Sequence, residues 1–203
     1  MNQRAMFQPV RLVSSLFLAV SLAACSSNPD TPAQRPPLEG AQIGGAFTLI
    51  DKNGREVHWS DFDGQYRIVY FGYTFCPDAC PLDLQAMMSG FSRFEQSHLA
   101  QAARVQPIFI SIDPARDTPE AVGQFAAAFH PRLLGLTGSP EQVEQAAKAF
   151  AVYYAKGEET AGGYLMDHSR SAYLMGPDGK PIALLPVDEK PEAVAMELEK
   201  WVK

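Results

Sequence analysis

The sequence predicts an α/β domain with a mixed central sheet flanked by helices. Three observations carry that expectation. Tyr66 to Tyr73 is a strongly apolar run, as a central strand buried on both faces should be. Segments with strand character alternate with segments of helical periodicity from there to about Phe150. A hairpin pattern around Pro177-Asp178-Gly179-Lys180 and a terminal helix close the chain.

Each element has its own signal. Phe47-Thr48-Leu49-Ile50 reads as a strand, Asp51-Lys52-Asn53-Gly54 as a turn, and Glu56-Val57-His58-Trp59 as a strand pairing back. After the apolar run comes a helix over roughly Pro81 to Leu99. Leu82, Leu84, Met87, Met88 and Phe91 supply its apolar face. Val105 to Ile112 is the next strand. Thr118 and Pro119 suit the cap and first position of a helix. Leu133 to Leu136 is a short strand, and Ser139-Pro140-Glu141 opens a helix to about Phe150. Val152-Tyr153-Tyr154 reads as a further short strand. Ser171 to Met175 and Ile182 to Leu185 form the hairpin, and the last helix runs from about Pro191 to Val202.

The first 24 residues read as a leader rather than as part of the fold. Arg4 and Arg11 precede an apolar stretch, Leu12 to Ala24, that is too short for a comfortable membrane span. Leu22-Ala23-Ala24-Cys25 resembles the bacterial lipoprotein signal, in which the cysteine is lipidated and becomes the first mature residue. Acyl chains on Cys25 would hold the protein to a membrane surface. Residues 25–40, rich in Pro, Ser, Ala and Gln, read as a flexible tether, with one folded domain over 41–203. The two arginines are the only charged residues of the leader. Removing it takes the formal charge from −6 to −8. An acidic surface argues against nucleic-acid partners.

Of three cysteines, Cys25 is taken by the anchor, which leaves Cys76 and Cys80 in Cys76-Pro77-Asp78-Ala79-Cys80-Pro81. Such a pair can form a disulfide, attack one, or grip a soft metal ion. In an oxidising envelope a close pair defaults to a disulfide. A loop this short restrains the unfolded chain little, so a purely structural staple is the weaker explanation. Pro81 in a helix interior would clash with the carbonyl of Pro77. The expectation is therefore Pro81 at the first helical position, Cys80 at the cap and Cys76 in the preceding loop. Both thiols then face the positive helix end, which favours thiolate.

A dithiol between the first long strand and its helix, followed by a late hairpin, looks like the thioredoxin architecture. In that architecture the stretch Tyr164-Leu165-Met166-Asp167-His168-Ser169, read as a loop, passes beside the dithiol. The thioredoxin family places a cis-proline there. This chain has no proline from Tyr164 to Met175 and offers His168 instead. Two thiolates with one imidazole suit Cu(I). His58, His98 and His130 read as structural. Asp113 and Asp117 read as strand-end and helix-start residues that could orient the site without binding metal.

These residues resemble the SCO/SenC family of copper-binding cytochrome c oxidase assembly factors. The resemblance runs from about Gly44 to Lys203. Tyr70 to Pro81, Ser111 to Glu120, Gly135-Leu136-Thr137-Gly138 and Asp167-His168-Ser169 carry it. It implies copper ligation by Cys76, Cys80 and His168, with a Cys76–Cys80 disulfide as a switch on copper loading. It further implies copper delivery to the CuA centre of cytochrome c oxidase subunit II from the periplasmic face of a bacterial envelope. A periplasmic thiol reductant or copper donor would be a second partner. The alternative implied function is a thiol-disulfide oxidoreductase that keeps the CuA-site cysteines, or other envelope thiols, reduced. A peroxidase reading rests on Thr74 near Cys76. Peroxiredoxins, however, resemble T-x-x-C, and the spacing here is T-x-C.

Overall fold

The computed structural model describes residues 34–160 and 163–203, with only the backbone described at Thr160. Residues 1–33, including the expected signal and Cys25, lie outside the described residues, as does Gly162. The compact unit begins at Arg35. Leu38 donates its N–H to the Ile182 carbonyl at 3.0 Å and packs against the core, so the far end of the expected tether is attached to the domain.

The sheet is built on β3 (Tyr66–Gly72), buried at all seven positions. It pairs in parallel with β4 (Val105–Ser111), which pairs in parallel with β5 (Leu134–Leu136). On its other side it pairs antiparallel with β8 (Ala172–Met175), which pairs antiparallel with β9 (Pro181–Leu185). The order is β5-β4-β3-β8-β9, a mixed sheet as expected. Arg67 breaks the apolar pattern of β3 yet is fully buried. It binds Asp63 at 3.0 Å and the Gly176 carbonyl at 2.9 Å, and lies over the Trp59 ring. A buried guanidinium is tolerable only with such partners.

Two small ribbons flank the sheet. β1 (Thr48–Ile50) and β2 (Glu56–His58) pair antiparallel. Asp51 holds their turn by accepting from the amides of Asn53 and Arg55. Trp59, expected as strand, starts a 3₁₀ turn over Trp59–Phe62 instead. The second ribbon, β6 (Tyr154–Thr160) and β7 (Gly163–His168), replaces the short strand and loop expected there.

The helices are α1 (Ala79–Ser97), a single turn α2 (Leu99–Ala102), α3 (Pro119–Phe129), α4 (Pro140–Ala149) and α5 (Pro191–Trp201). Thr118 caps α3 by accepting from the Ala121 amide, and Ser139 forms a capping box with Gln142 on α4. α1 packs on α5 closely enough that a Cβ at Gly90 would meet the Pro191 carbonyl at 2.6 Å. α1 begins two residues earlier than expected, with Asp78 at the cap and Pro81 at the third helical position. The clash that bars proline from a helix interior does not reach the third helical position. The first-turn amides have no partner within a helix, and the chain before Ala79 is not helical, so the ring meets no carbonyl.

Candidate metal centre

The dithiol loop leaves the sheet at Gly72. Cys76 sits in the loop, partly buried, and Cys80 is the second residue of α1, fully buried. The Cys80 amide, one of the unpaired donors of the first helical turn, donates to Cys76 Sγ at 3.3 Å. A side chain at residue 72 would crowd Cys80, because a Cβ there would lie 3.1 Å from its sulfur.

His168 arrives from the opposite side as the last residue of β7, not on a loop. Its Nε2 lies 3.1 Å from Cys80 Sγ. Its Nδ1 lies 2.8 Å from the Ser169 carbonyl oxygen, which can only accept, so Nδ1 carries the proton and the Nε2 lone pair faces the sulfurs. Tyr70 and Tyr73 present their rings edge-on to the imidazole at 6.4 and 6.0 Å. The donor atoms of Cys76, Cys80 and His168 all lie within 4.8 Å of one another. Among the described residues this is the sole His, Cys, Asp or Glu group of that kind.

The two thiols differ electrostatically. A hydrogen bond from Cys80, with the amides of Cys80 and Asp78, outweighs burial and holds the Cys76 pKa down at about 3. The same hydrogen bond and burial push the Cys80 thiol far up. Both cysteines are free. Two sulfurs and one imidazole nitrogen form a soft donor set of low coordination, which fits Cu(I) better than a hard cation.

The other predicted residues lie around this centre or away from it. Asp117 is buried and accepts from Thr74 N at 3.0 Å, Thr74 Oγ1 at 2.5 Å and Ser111 Oγ at 2.5 Å. It therefore holds the loop two residues before Cys76. Asp113 accepts from Arg116 and from the Tyr164 hydroxyl on β7. The remaining histidines are structural, as expected: His58 pairs with Thr48, His98 stacks on Phe94, and His130 faces Glu95 and Phe91.

Sequence reasoning missed one buried cluster. Asp83, three residues after Cys80, accepts from Tyr70 at 2.8 Å and from both ends of the Arg170 fork at 2.9 and 2.5 Å. The available signal was an acid beside Leu84 on the buried side of α1, since such acids are almost never buried without a partner.

The structure is similar to copper-bound structures of ScoI from Arabidopsis thaliana and Bradyrhizobium japonicum. TM-scores are 0.73 and 0.70 and identities 37% and 35%, over 78% of this chain and 96% and 99% of theirs. It also matches the thioredoxin domain of a thiol-disulfide oxidoreductase from Bacteroides vulgatus, at TM-score 0.55 and 17% identity, over 79% of this chain and 96% of that one. The fold is thioredoxin-like. In sequence, the chain is 42% identical to Protein SCO1 homolog 1, mitochondrial, of Arabidopsis thaliana, over 70% of this chain and 42% of that protein. It is 40% identical to Protein SenC of Rhodobacter capsulatus, over 76% of this chain and 68% of that protein. The chain spans about half the length of the mitochondrial relatives it matches. The SCO1/SenC family model matches residues 35–203. On that match and these identities, the chain belongs to the SCO1/SenC family.

Proposed function

We propose that the protein is a copper metallochaperone of the bacterial cell envelope. Cys76, Cys80 and His168 take copper as cargo and pass it to the CuA centre of cytochrome c oxidase subunit II. The observation that carries this reading is the convergence of two sulfurs and an imidazole nitrogen within 4.8 Å, with the other ring nitrogen held by the Ser169 carbonyl. Thiol–disulfide exchange with an oxidised disulfide partner, which leaves as its dithiol, would convert Cys76 and Cys80 to a disulfide and release the ion, and a periplasmic thiol reductant would restore the site. Lipid on Cys25 would hold the domain at the membrane. No helix among the described residues is long and apolar enough to cross one.

Copper titration of the reduced protein tests the ligand set. One copper per chain is expected. Cys76→Ser and Cys80→Ser should lose it, and His168→Ala should lose retention against a chelator. His168→Ala holding copper as tightly as the parent protein would overturn the three-ligand site. Transfer from the loaded protein to the isolated CuA domain tests the recipient.

A second reading, thiol-disulfide reductase, is favoured by the anionic Cys76 beside the protonated Cys80. Reduction of an oxidised CuA domain that survives His168→Ala and vanishes in Cys76→Ser would support it.

A further inference from the structure

Arg116 lies between α3 and the end of β4, outside the donor set, and touches both sides of the centre. Its Nε donates to Asp113 Oδ2 at 2.5 Å and its Nη1 to the Tyr164 carbonyl at 2.8 Å. The guanidinium carbon stacks 3.7 Å from the centre of the Tyr164 ring. Asp113 then closes the circuit by accepting from the Tyr164 hydroxyl at 2.7 Å. Tyr164 is on β7, four residues before His168. The same guanidinium lies 4.9 Å from the Phe75 ring and 5.8 Å from the Tyr73 ring. Phe75 adjoins Cys76, and Tyr73 faces the His168 imidazole. Arg116 Nη2 is buried with no hydrogen-bond partner. These aromatic faces are what surrounds the cation instead.

The β6–β7 ribbon needs such a tether. Among the described residues its two strands pair only with each other, and the register slips between Lys156 and Glu159. An isolated two-stranded ribbon is marginal in water. Of its described side chains only Tyr154 in β6 and Met166 in β7 pack against the core, both only partly buried, and the rest of β6 is polar or small.

We propose that Arg116, held by Asp113, is a positioning residue that clamps the His168 ribbon to the Cys76 loop and so sets the reach of the imidazole toward the sulfurs. The inference rests on the copper reading above. Arg116 touches neither copper nor its ligands. It acts through Tyr164, Tyr73 and Phe75. Lysine is not an equivalent, because one ammonium cannot reproduce a planar fork that donates in two directions while stacking on a ring.

The experiment is a double-mutant cycle on copper retention in the reduced protein, with a Cu(I) chelator as competitor. The variants are Arg116→Ala, His168→Ala and both together. Arg116→Ala is expected to keep one copper per chain and weaken retention about tenfold, the scale of losing a group that orients a ligand. In the His168→Ala background the second change should cost nothing further. Full additivity in the double variant, or parental retention in Arg116→Ala, would overturn the proposal. Restoration of parental retention by Arg116→Lys would overturn it too.

Amide hydrogen exchange on the metal-free protein supplies a readout that needs no copper. Faster exchange confined to Tyr164–His168 in Arg116→Ala and Tyr164→Phe is expected, with the amides of β3 and β4 unchanged. Acceleration across the whole sheet would show a folding role and overturn the proposal. If His168→Ala itself retained copper like the parent, the ligand assignment would fail, while the exchange pattern would still decide whether Arg116 clamps the ribbon.

Discussion

Cys80 Sγ stands 3.1 Å from His168 Nε2, although 88 residues separate them in the chain. The same two segments meet a second time. Asp83, three residues after Cys80, receives the fork of Arg170, two residues after His168. Tyr70 adds a third bond to that carboxylate from β3. This thiol–imidazole contact is thus backed by an ion pair between the helix that carries Cys80 and the chain that follows His168.

Removing Arg170 should expose the strength of that backing. Asp83 is 1% exposed, so Arg170→Ala leaves a buried carboxylate with a single tyrosine donor. The loss of one partner of a buried pair costs about 3–5 kcal/mol, and the half-exposed Arg170 side chain puts the expectation near about 3 kcal/mol. Urea unfolding of the reduced, metal-free protein measures it. A loss below about 1 kcal/mol would mark the pair as an ordinary surface bridge.

Gly72→Ala should act on the centre itself. Its new methyl would lie 3.1 Å from Cys80 Sγ, from Phe109 Cε2 and from Tyr70 Cε1. Overpacking of this kind costs about 1–3 kcal/mol. Gly90→Ala is the matched control, since it crowds Val194 and Pro191 at the α1–α5 contact. Both variants are expected to lower stability, but only Gly72→Ala should also weaken copper retention. Equal retention in the two would show that the sulfur tolerates the shift.

Where apolar patterning or capping chemistry dictates structure, the sequence was readable. β3 announces itself by an apolar run, and Thr118-Pro119 and Ser139-Pro140 mark helix starts that the structure keeps. The Cys76, Cys80 and His168 cluster was legible through the cysteine pair and the proline-free stretch around His168. The ribbon that carries His168 was not. β6 is polar and glycine-containing, and its partner β7 bonds through Tyr164 to Arg116 and Asp113, a distant part of the chain, rather than showing a periodicity of its own. α1 starts two residues before the position Pro81 suggests, because a proline in the first helical turn meets no carbonyl four residues back in a helix. The Asp83–Arg170 pair joins residues 87 apart, and no local pattern records such a contact.

Asp117→Ala should loosen the loop from the other side. It strands three donors, Thr74 N, Thr74 Oγ1 and Ser111 Oγ, in a buried setting. Each unsatisfied buried group costs about 1–3 kcal/mol, and relaxation makes the sum less than additive, so about 3 kcal/mol is expected. Asp117→Asn keeps one acceptor oxygen and should lose less. Thermal unfolding gives the order. Asn matching Ala in full would show that charge, and not the accepting geometry, holds Thr74.

The pH dependence of the reduced protein should belong to Cys76. Its pKa falls from an ordinary 9.0 to about 3 because the Cys80 thiol donates to it, with the amides of Cys80 and Asp78 adding to the effect. A folded-state pKa below the unfolded one means that the unfolded chain holds one more proton between those values. Stability therefore rises with pH from about 3 to about 9, is fully present above the upper value, and is lost as pH falls toward the lower. Cys80 shifts the opposite way, so its contribution is complete below its ordinary value and changes little across neutral pH. Two measurements follow. Alkylation should modify Cys76 first, at a rate nearly flat between about pH 5 and 8, whereas an unperturbed thiol would accelerate about tenfold per pH unit. Unfolding free energy should climb over the same range in the parent protein and flatten in Cys76→Ser. A steep alkylation profile at Cys76 would mean that Cys80 does not hold it as the thiolate, and the division of the pair into one anion and one proton donor would fail.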